Sequence, residues 1–220
     1  MKSTLIHLAL TVFVALPAQA AAPSTQATHS DADMVQLLAA RGDPAKGQEA
    51  YVICRGCHRA DASGKAEAGY PQLAGQHPSV IIKQMLDVRA GRRDSPRMHP
   101  FITSEVVPGE DIAHIAAYLY TLPVPASNGK GSGRLLDLGR HLYERDCASC
   151  HGKHGEGDGA RFYPRVAGQH YAYLLRESRE SRDKGRRNSH PEMVRLIRHY
   201  SDDDLAAVSD YMSRLAVPTR

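Results

Sequence analysis

Apolar side chains recur at helical spacing in several stretches of this 220-residue chain, and strand-like alternation is nearly absent. In residues 78–90 the apolar positions include Ile81, Ile82, Met85 and Leu86; in residues 110–122 they include Ile112, Ile115, Ala116 and Leu119. The second half repeats this with Leu174 and Leu175, then with Leu205, Val208 and Met212. Asp43 before Pro44 reads as an N-cap and a first helical position, opening a helix that leads to Tyr51 and Ile53. Residues 31–40 add a short helix. The pattern predicts an all-α protein.

The pattern also repeats. Tyr70-Pro71-Gln72-Leu73-Ala74-Gly75-Gln76-His77 recurs 93 residues later as Tyr163-Pro164-Arg165-Val166-Ala167-Gly168-Gln169-His170. At the same offset Asp111-Ile112-Ala113 meets Asp204-Leu205-Ala206, and Tyr118 meets Tyr211. A tandem duplication follows, with domain 1 over residues 41–122 and domain 2 over residues 134–220. Residues 123–133 between them are rich in Pro, Gly and Ser and hold no regular element. Each unit, at about 85 residues, is small for an independent core and calls for something else apolar to pack around.

The four cysteines supply that something. They fall in Cys54-Arg55-Gly56-Cys57-His58 and, 93 residues on, Cys147-Ala148-Ser149-Cys150-His151. C-x-x-C-H attaches c-type haem: two thiols one helical turn apart add to the two vinyl groups of the porphyrin, and the histidine ligates iron. Two disulfides would leave a histidine after each pair unexplained. A zinc ribbon would bring its two pairs within about 15–20 residues of each other, and here a whole domain intervenes. The expectation is two covalently bound haem c groups, attached through Cys54, Cys57, Cys147 and Cys150, with His58 and His151 as proximal ligands.

The first twenty residues read as an export signal: Lys2 is a short positive region, residues 5–16 are apolar, and Ala18-Gln19-Ala20 is an A-x-A cleavage site. The apolar run falls short of the roughly 20 residues that span a bilayer. Cleavage is expected near Ala20, with Ala22 as the other candidate. Residues 21–40 then form an N-terminal leader, and the mature protein is expected in the periplasm.

A small helical domain with an early C-x-x-C-H, a proline soon after it and a methionine before its last helix resembles class I c-type cytochromes. Doubled, with Pro71-Gln72-Leu73-Ala74-Gly75-Gln76 in one half and Pro164-Arg165-Val166-Ala167-Gly168-Gln169 in the other, the chain resembles the di-haem cytochrome c4 family from about Asp43 to Leu215. The resemblance implies two tandem class I cytochrome c-like domains. It also implies that the carbonyls of Pro71 and Pro164 orient the two proximal histidines, and that a methionine completes each iron. Met98 is the candidate in domain 1, since Met85 sits at core spacing. In domain 2 it is Met193, because Met212 aligns with the core position Leu119. The neighbouring His99 and His190 are the rival ligands. Met98 lies 40 residues after His58 and Met193 lies 42 after His151, so the two distal loops must differ. His77, His114, His141, His154, His170 and His199 read as surface or helix residues. Gln76 and Gln169 read as caps or propionate contacts, and Arg92, Arg93, Arg186 and Arg187 as candidate propionate partners.

Charge bears on partners. The chain carries +4 at neutral pH; domain 1 has 10 basic and 9 acidic groups, while residues 123–220 have 17 and 13. Four haem propionates bring the whole near neutrality, and export with haem argues against nucleic acid despite the basic excess. Domain 2 is expected to meet an acidic redox partner. The resemblance implies an electron shuttle, not an enzyme, working between partners such as a quinol-oxidising complex and a terminal oxidase or reductase, with peripheral association to membrane complexes allowed. The alternative is a di-haem oxidoreductase of peroxidase or thiosulfate-oxidising type, or a haem subunit of a larger dehydrogenase. A cysteine-ligated thiosulfate oxidiser needs a fifth cysteine, and the chain has four.

Overall fold

The computed structural model describes residues 31–217; the signal peptide read over 1–20, the first half of the leader and the last three residues lie outside them. Among the described residues the regular structure is helical, and the only β pairings are two isolated bridges, Lys65 with Tyr70 and Asp158 with Tyr163, at equivalent places in the two halves.

In domain 1, α1 (Asp31–Ala39) is followed by α2 (Pro44–Ala50), a 3₁₀ turn (Tyr51–Cys54), α3 (Arg55–His58), α4 (Pro78–Arg89) and α5 (Gly109–Thr121). Asp43 caps α2 by accepting the Ala45 N–H at 2.8 Å, and Pro44 sits at its first turn, where a missing N–H costs nothing. The predicted faces are the buried ones: Ile81, Ile82, Met85 and Leu86 from α4 meet Ile112, Ile115, Ala116 and Leu119 from α5 in one core. Met34 and Leu37 of α1 pack on the same core, so this helix joins domain 1 although the repeat begins later.

Domain 2 runs α6 (Leu136–Leu142), a π turn (Tyr143–Cys147), α7 (Ala148–His151), α8 (Tyr171–Arg182), α9 (Pro191–Ile197) and α10 (Asp202–Arg214). Its core joins Leu142, Tyr143, Leu174, Leu205, Val208 and Met212, so Met212 is a packing residue, as its alignment with Leu119 required. Ser201 and Asp204 form a reciprocal capping box at the start of α10. In both halves the helix before the haem motif crosses the last helix at close range. A Cβ on Gly47 would stand 1.9 Å from the His114 carbonyl oxygen, and one on Gly139 would stand 2.2 Å from that of Ala207. Only glycine fits either crossing.

Residues 123–133 form no helix, yet they are fixed. Asn128 Nδ2 donates to the carbonyls of Gln169 and Ser213, and the N–H groups of Gly131 and Gly133 both donate to Asp210. The linker is a strap laid across domain 2.

Candidate haem-binding sites

The last four residues of each C-x-x-C-H form a single helical turn, α3 or α7, with the first cysteine as its N-cap and the histidine at its end. A buried tyrosine closes the turn from behind. Tyr51 Oη donates to the Arg59 carbonyl at 3.1 Å and Tyr143 Oη to the Gly152 carbonyl at 2.6 Å. Each tyrosine ring leans on a tyrosine of the last helix, Tyr118 at 5.6 Å and Tyr211 at 5.5 Å between centroids. These tyrosines reveal a slip in the repeat. Tyr51 stands three residues before Cys54 in a four-residue 3₁₀ turn, whereas Tyr143 stands four before Cys147 in a five-residue π turn. One inserted residue is absorbed as a π turn, so that the thiols and histidine keep their place on the core.

The imidazoles are oriented as ligands. His58 Nδ1 lies 3.1 Å from the Pro71 carbonyl oxygen, and His151 Nδ1 lies 3.0 Å from that of Pro164. A carbonyl only accepts, so Nδ1 carries the proton and Nε2 keeps its lone pair for a metal. Burial holds both imidazoles below their ordinary pKa, in the neutral form that ligates, against the opposing pull of the proline carbonyls. Burial likewise pushes the Cys54 thiol up to about 11 and the Cys147 thiol up to about 12. None of the four cysteines is joined in a disulfide.

Met98 is half-buried and packs on the domain 1 core together with Cys54; Met193 packs on the domain 2 core together with Cys147. Their settings differ as the unequal spacing required. Met98 sits in a turn that caps the 3₁₀ segment His99–Phe101, whereas Met193 lies inside α9. The rival histidines are both exposed, and the ring of His190 caps α9 by accepting the Glu192 N–H at 3.3 Å. Two thiols, one free imidazole nitrogen and one thioether per domain are the donors that a c-type haem takes, and each domain offers them around one apolar core.

Other expectations are revised by contacts between the domains. Gln76 Oε1 accepts the Arg165 N–H at 2.9 Å and its Nε2 donates to the Arg165 carbonyl at 3.0 Å. Gln169 does the same to Gln72, at 2.9 Å for both bonds. His77 Nε2 meets the Glu156 carbonyl and His170 Nε2 the Ser63 carbonyl, each at 2.8 Å. Gln72 and Arg165, Ser63 and Glu156, Gln76 and Gln169, and His77 and His170 are all 93 apart, so the repeated Gly-Gln-His segment is a two-fold clamp between the halves. Neither the surface reading of His77 and His170 nor a propionate contact for the glutamines describes it.

The arginines have protein partners too. Arg93 donates to Gln84 at 3.1 Å and to Glu177 at 3.0 Å, and Arg186 donates to Glu177 at 2.8 Å and to Gln84 at 3.0 Å. These four form a second pseudo-symmetric contact, the pairs Gln84 with Glu177 and Arg93 with Arg186 again being 93 apart. Arg92 pairs with Asp87, and Arg187 donates to the Gly91 carbonyl across the interface.

Among the described residues no helix is long and apolar enough to cross a membrane. The family model described as "Cytochrome c" matches residues 136–216. The "Thiosulfate dehydrogenase electron acceptor" of Stutzerimonas stutzeri (strain A1501) is 34% identical over 199 residues, covering 81% of this chain and 90% of that one. "Cytochrome c4" of Azotobacter vinelandii is 32% identical over 196 residues, covering 81% and 92%. The crystal structure of reduced recombinant cytochrome c4 from Pseudomonas stutzeri superposes with a TM-score of 0.72 at 27% identity, covering 80% of this chain and all of that one. With two attachment motifs, two helical domains and relatives of this likeness along most of its length, the chain belongs to the di-haem cytochrome c4 family and is an electron carrier with two covalently bound haem c groups.

Proposed function

We propose that the protein is exported to the periplasm and shuttles single electrons between respiratory redox enzymes, with His58 and Met98 on one iron and His151 and Met193 on the other. When bound, each haem supplies a one-electron iron couple, and His–Met ligation sets it higher than His–His would. The observation that carries the reading is the paired donor set: in each domain the proline carbonyl frees Nε2, and a thioether packs on the same core as the first cysteine of the motif. An iron with both axial positions filled by protein leaves no open position for peroxide or thiosulfate, so the shuttle is favoured over the oxidoreductase.

The two domains offer different surfaces to partners. Val52 and Ile53, just ahead of Cys54, are 56% and 43% exposed, whereas Glu144, Arg145 and Asp146 stand ahead of Cys147. Domain 1 thus suits an apolar docking patch and domain 2 a charged one. The likeness to a thiosulfate dehydrogenase electron acceptor supports a second choice of donor, a thiosulfate-oxidising dehydrogenase, in place of a quinol-oxidising complex. Stopped-flow mixing with each candidate donor tests this. The expected result is rapid reduction by one of them, and slower transfer at domain 2 as salt rises. Saturable turnover of peroxide or thiosulfate by the protein alone would overturn it.

A further inference from the structure

The two hydrogen bonds that meet at Pro71 and Gln72 belong to one peptide unit. Its C=O, from Pro71, accepts the Nδ1–H of His58, and its N–H, from Gln72, donates to Oε1 of Gln169 in the other domain. The mirror arrangement runs from His151 through the Pro164–Arg165 peptide to Gln76 of domain 1. The amide orientations are fixed by their surroundings. Gln169 Oε1 also accepts the His170 N–H and its Nε2 donates to the Gln72 carbonyl, while Gln76 Oε1 also accepts the His77 N–H and its Nε2 donates to the Arg165 carbonyl. Gln72, Arg165 and Gln169 are buried, at 5%, 9% and 7% exposure, so water competes little for these bonds.

We infer that each glutamine tunes the haem of the opposite domain: Gln169 acts on the haem of His58, and Gln76 on the haem of His151. An acceptor on the N–H end of a peptide polarises it and makes its carbonyl a better acceptor, because hydrogen bonds in a chain reinforce one another. A better acceptor draws the Nδ1 proton harder, gives the imidazole more anionic character and favours ferric over ferrous iron. Each domain thereby sets its neighbour's potential through one buried amide, and docking of the halves becomes part of the redox chemistry. This makes the repeated Gly-Gln-His segment more than an adhesive. The inference rests on His58 and His151 being iron ligands.

Gln169→Met and Gln76→Met remove the acceptor at nearly constant volume. Redox titration of the holoprotein, with each couple assigned to its domain by NMR, reads the effect together with the ligand-histidine Nδ1–H resonance. Gln169→Met should raise the domain 1 couple, by up to a tenfold change in its equilibrium constant (about 59 mV for one electron), shift the His58 Nδ1–H signal upfield and leave the domain 2 couple in place. Gln76→Met should do the reverse. Ser79→Ala, which removes a neutral interdomain hydrogen bond to the Gly159 carbonyl without touching either peptide, should move neither couple. Equal shifts of both couples, a shift in the glutamine's own domain, or no shift would overturn the inference. Absence of hyperfine-shifted His58 and His151 ring protons from the wild-type ferric spectrum would instead overturn the histidine ligation beneath it.

Discussion

Glu177 bridges the guanidiniums of Arg93 and Arg186 at the domain interface, and its removal should be costly. Its side chain is 14% exposed and accepts from Arg93, Arg186 and Arg176. Burial works to raise its pKa, yet Arg93, Arg186 and Arg176 hold the carboxyl below the usual carboxylate range. Glu177→Leu leaves Arg93 bonded to Gln84 and Tyr173, and Arg186 to Gln84 and Asn188, all of them neutral side chains. Removing one partner of a buried pair costs about 3–5 kcal/mol, and partial exposure places this case at the lower end, near 3 kcal/mol. Glu177→Gln keeps an acceptor but not the charge, and should cost about 1–2 kcal/mol. Urea unfolding of the holoprotein, followed by far-ultraviolet circular dichroism, gives the loss, and urea does not screen the charges as guanidinium would. Adding Arg186→Met to Glu177→Leu should restore part of the stability, because the second change removes one stranded cation. A loss below about 1 kcal/mol for Glu177→Leu, or strict additivity in the double variant, would refute the reasoning.

Met98→Ala and Met193→Ala should each turn one haem high-spin or hand it to a nearby histidine, whereas Met212→Ala should cost about 2–5 kcal/mol of packing and leave the visible and near-infrared spectra intact. His170 accepts the Gly129 N–H at Nδ1 and donates from Nε2, so it is held neutral, and burial lowers its pKa despite the Ser63 carbonyl. Its contribution is full above about pH 6.5 and is lost as pH falls below that value, because the unfolded chain then binds the proton more readily. Unfolding midpoints measured from about pH 8 to 5 should fall in the wild type and flatten in His170→Asn.

The helices, the duplication and the attachment motifs were legible in the sequence because each is local. Ile81, Ile82, Met85 and Leu86 announce their helix by spacing alone, and C-x-x-C-H needs no tertiary context. Met212 was also assignable, since Leu119 in the other repeat gave it a reference. The π turn was hidden because the offset of 93 holds from the cysteines onward and masks the slip ahead of them. Tyr51 with Tyr143 and Gly47 with Gly139 are 92 apart, and that was the available signal. The clamp was hidden for a different reason. Periodicity reports how a helix packs within its own domain and says nothing about contacts between repeats. The clue was that Ala-Gly-Gln-His is identical in both halves while Gln72 and Arg165 ahead of it differ; the two glutamines bind those residues through their main chain, which leaves the side chains free to diverge. The helical setting of Met193 followed from no local pattern, although the two extra residues between it and His151 required some rearrangement.

In the proposed function two six-coordinate haems, each held by a histidine and a methionine of its own domain, carry one electron apiece. A near-infrared spectrum of the oxidised holoprotein, taken through a redox titration, tests it most directly. The expected spectrum shows Met-to-iron charge-transfer intensity from both haems and no high-spin signal, and that intensity disappears in two reversible one-electron steps. Intensity from a single haem, or a high-spin iron in the resting protein, would contradict it.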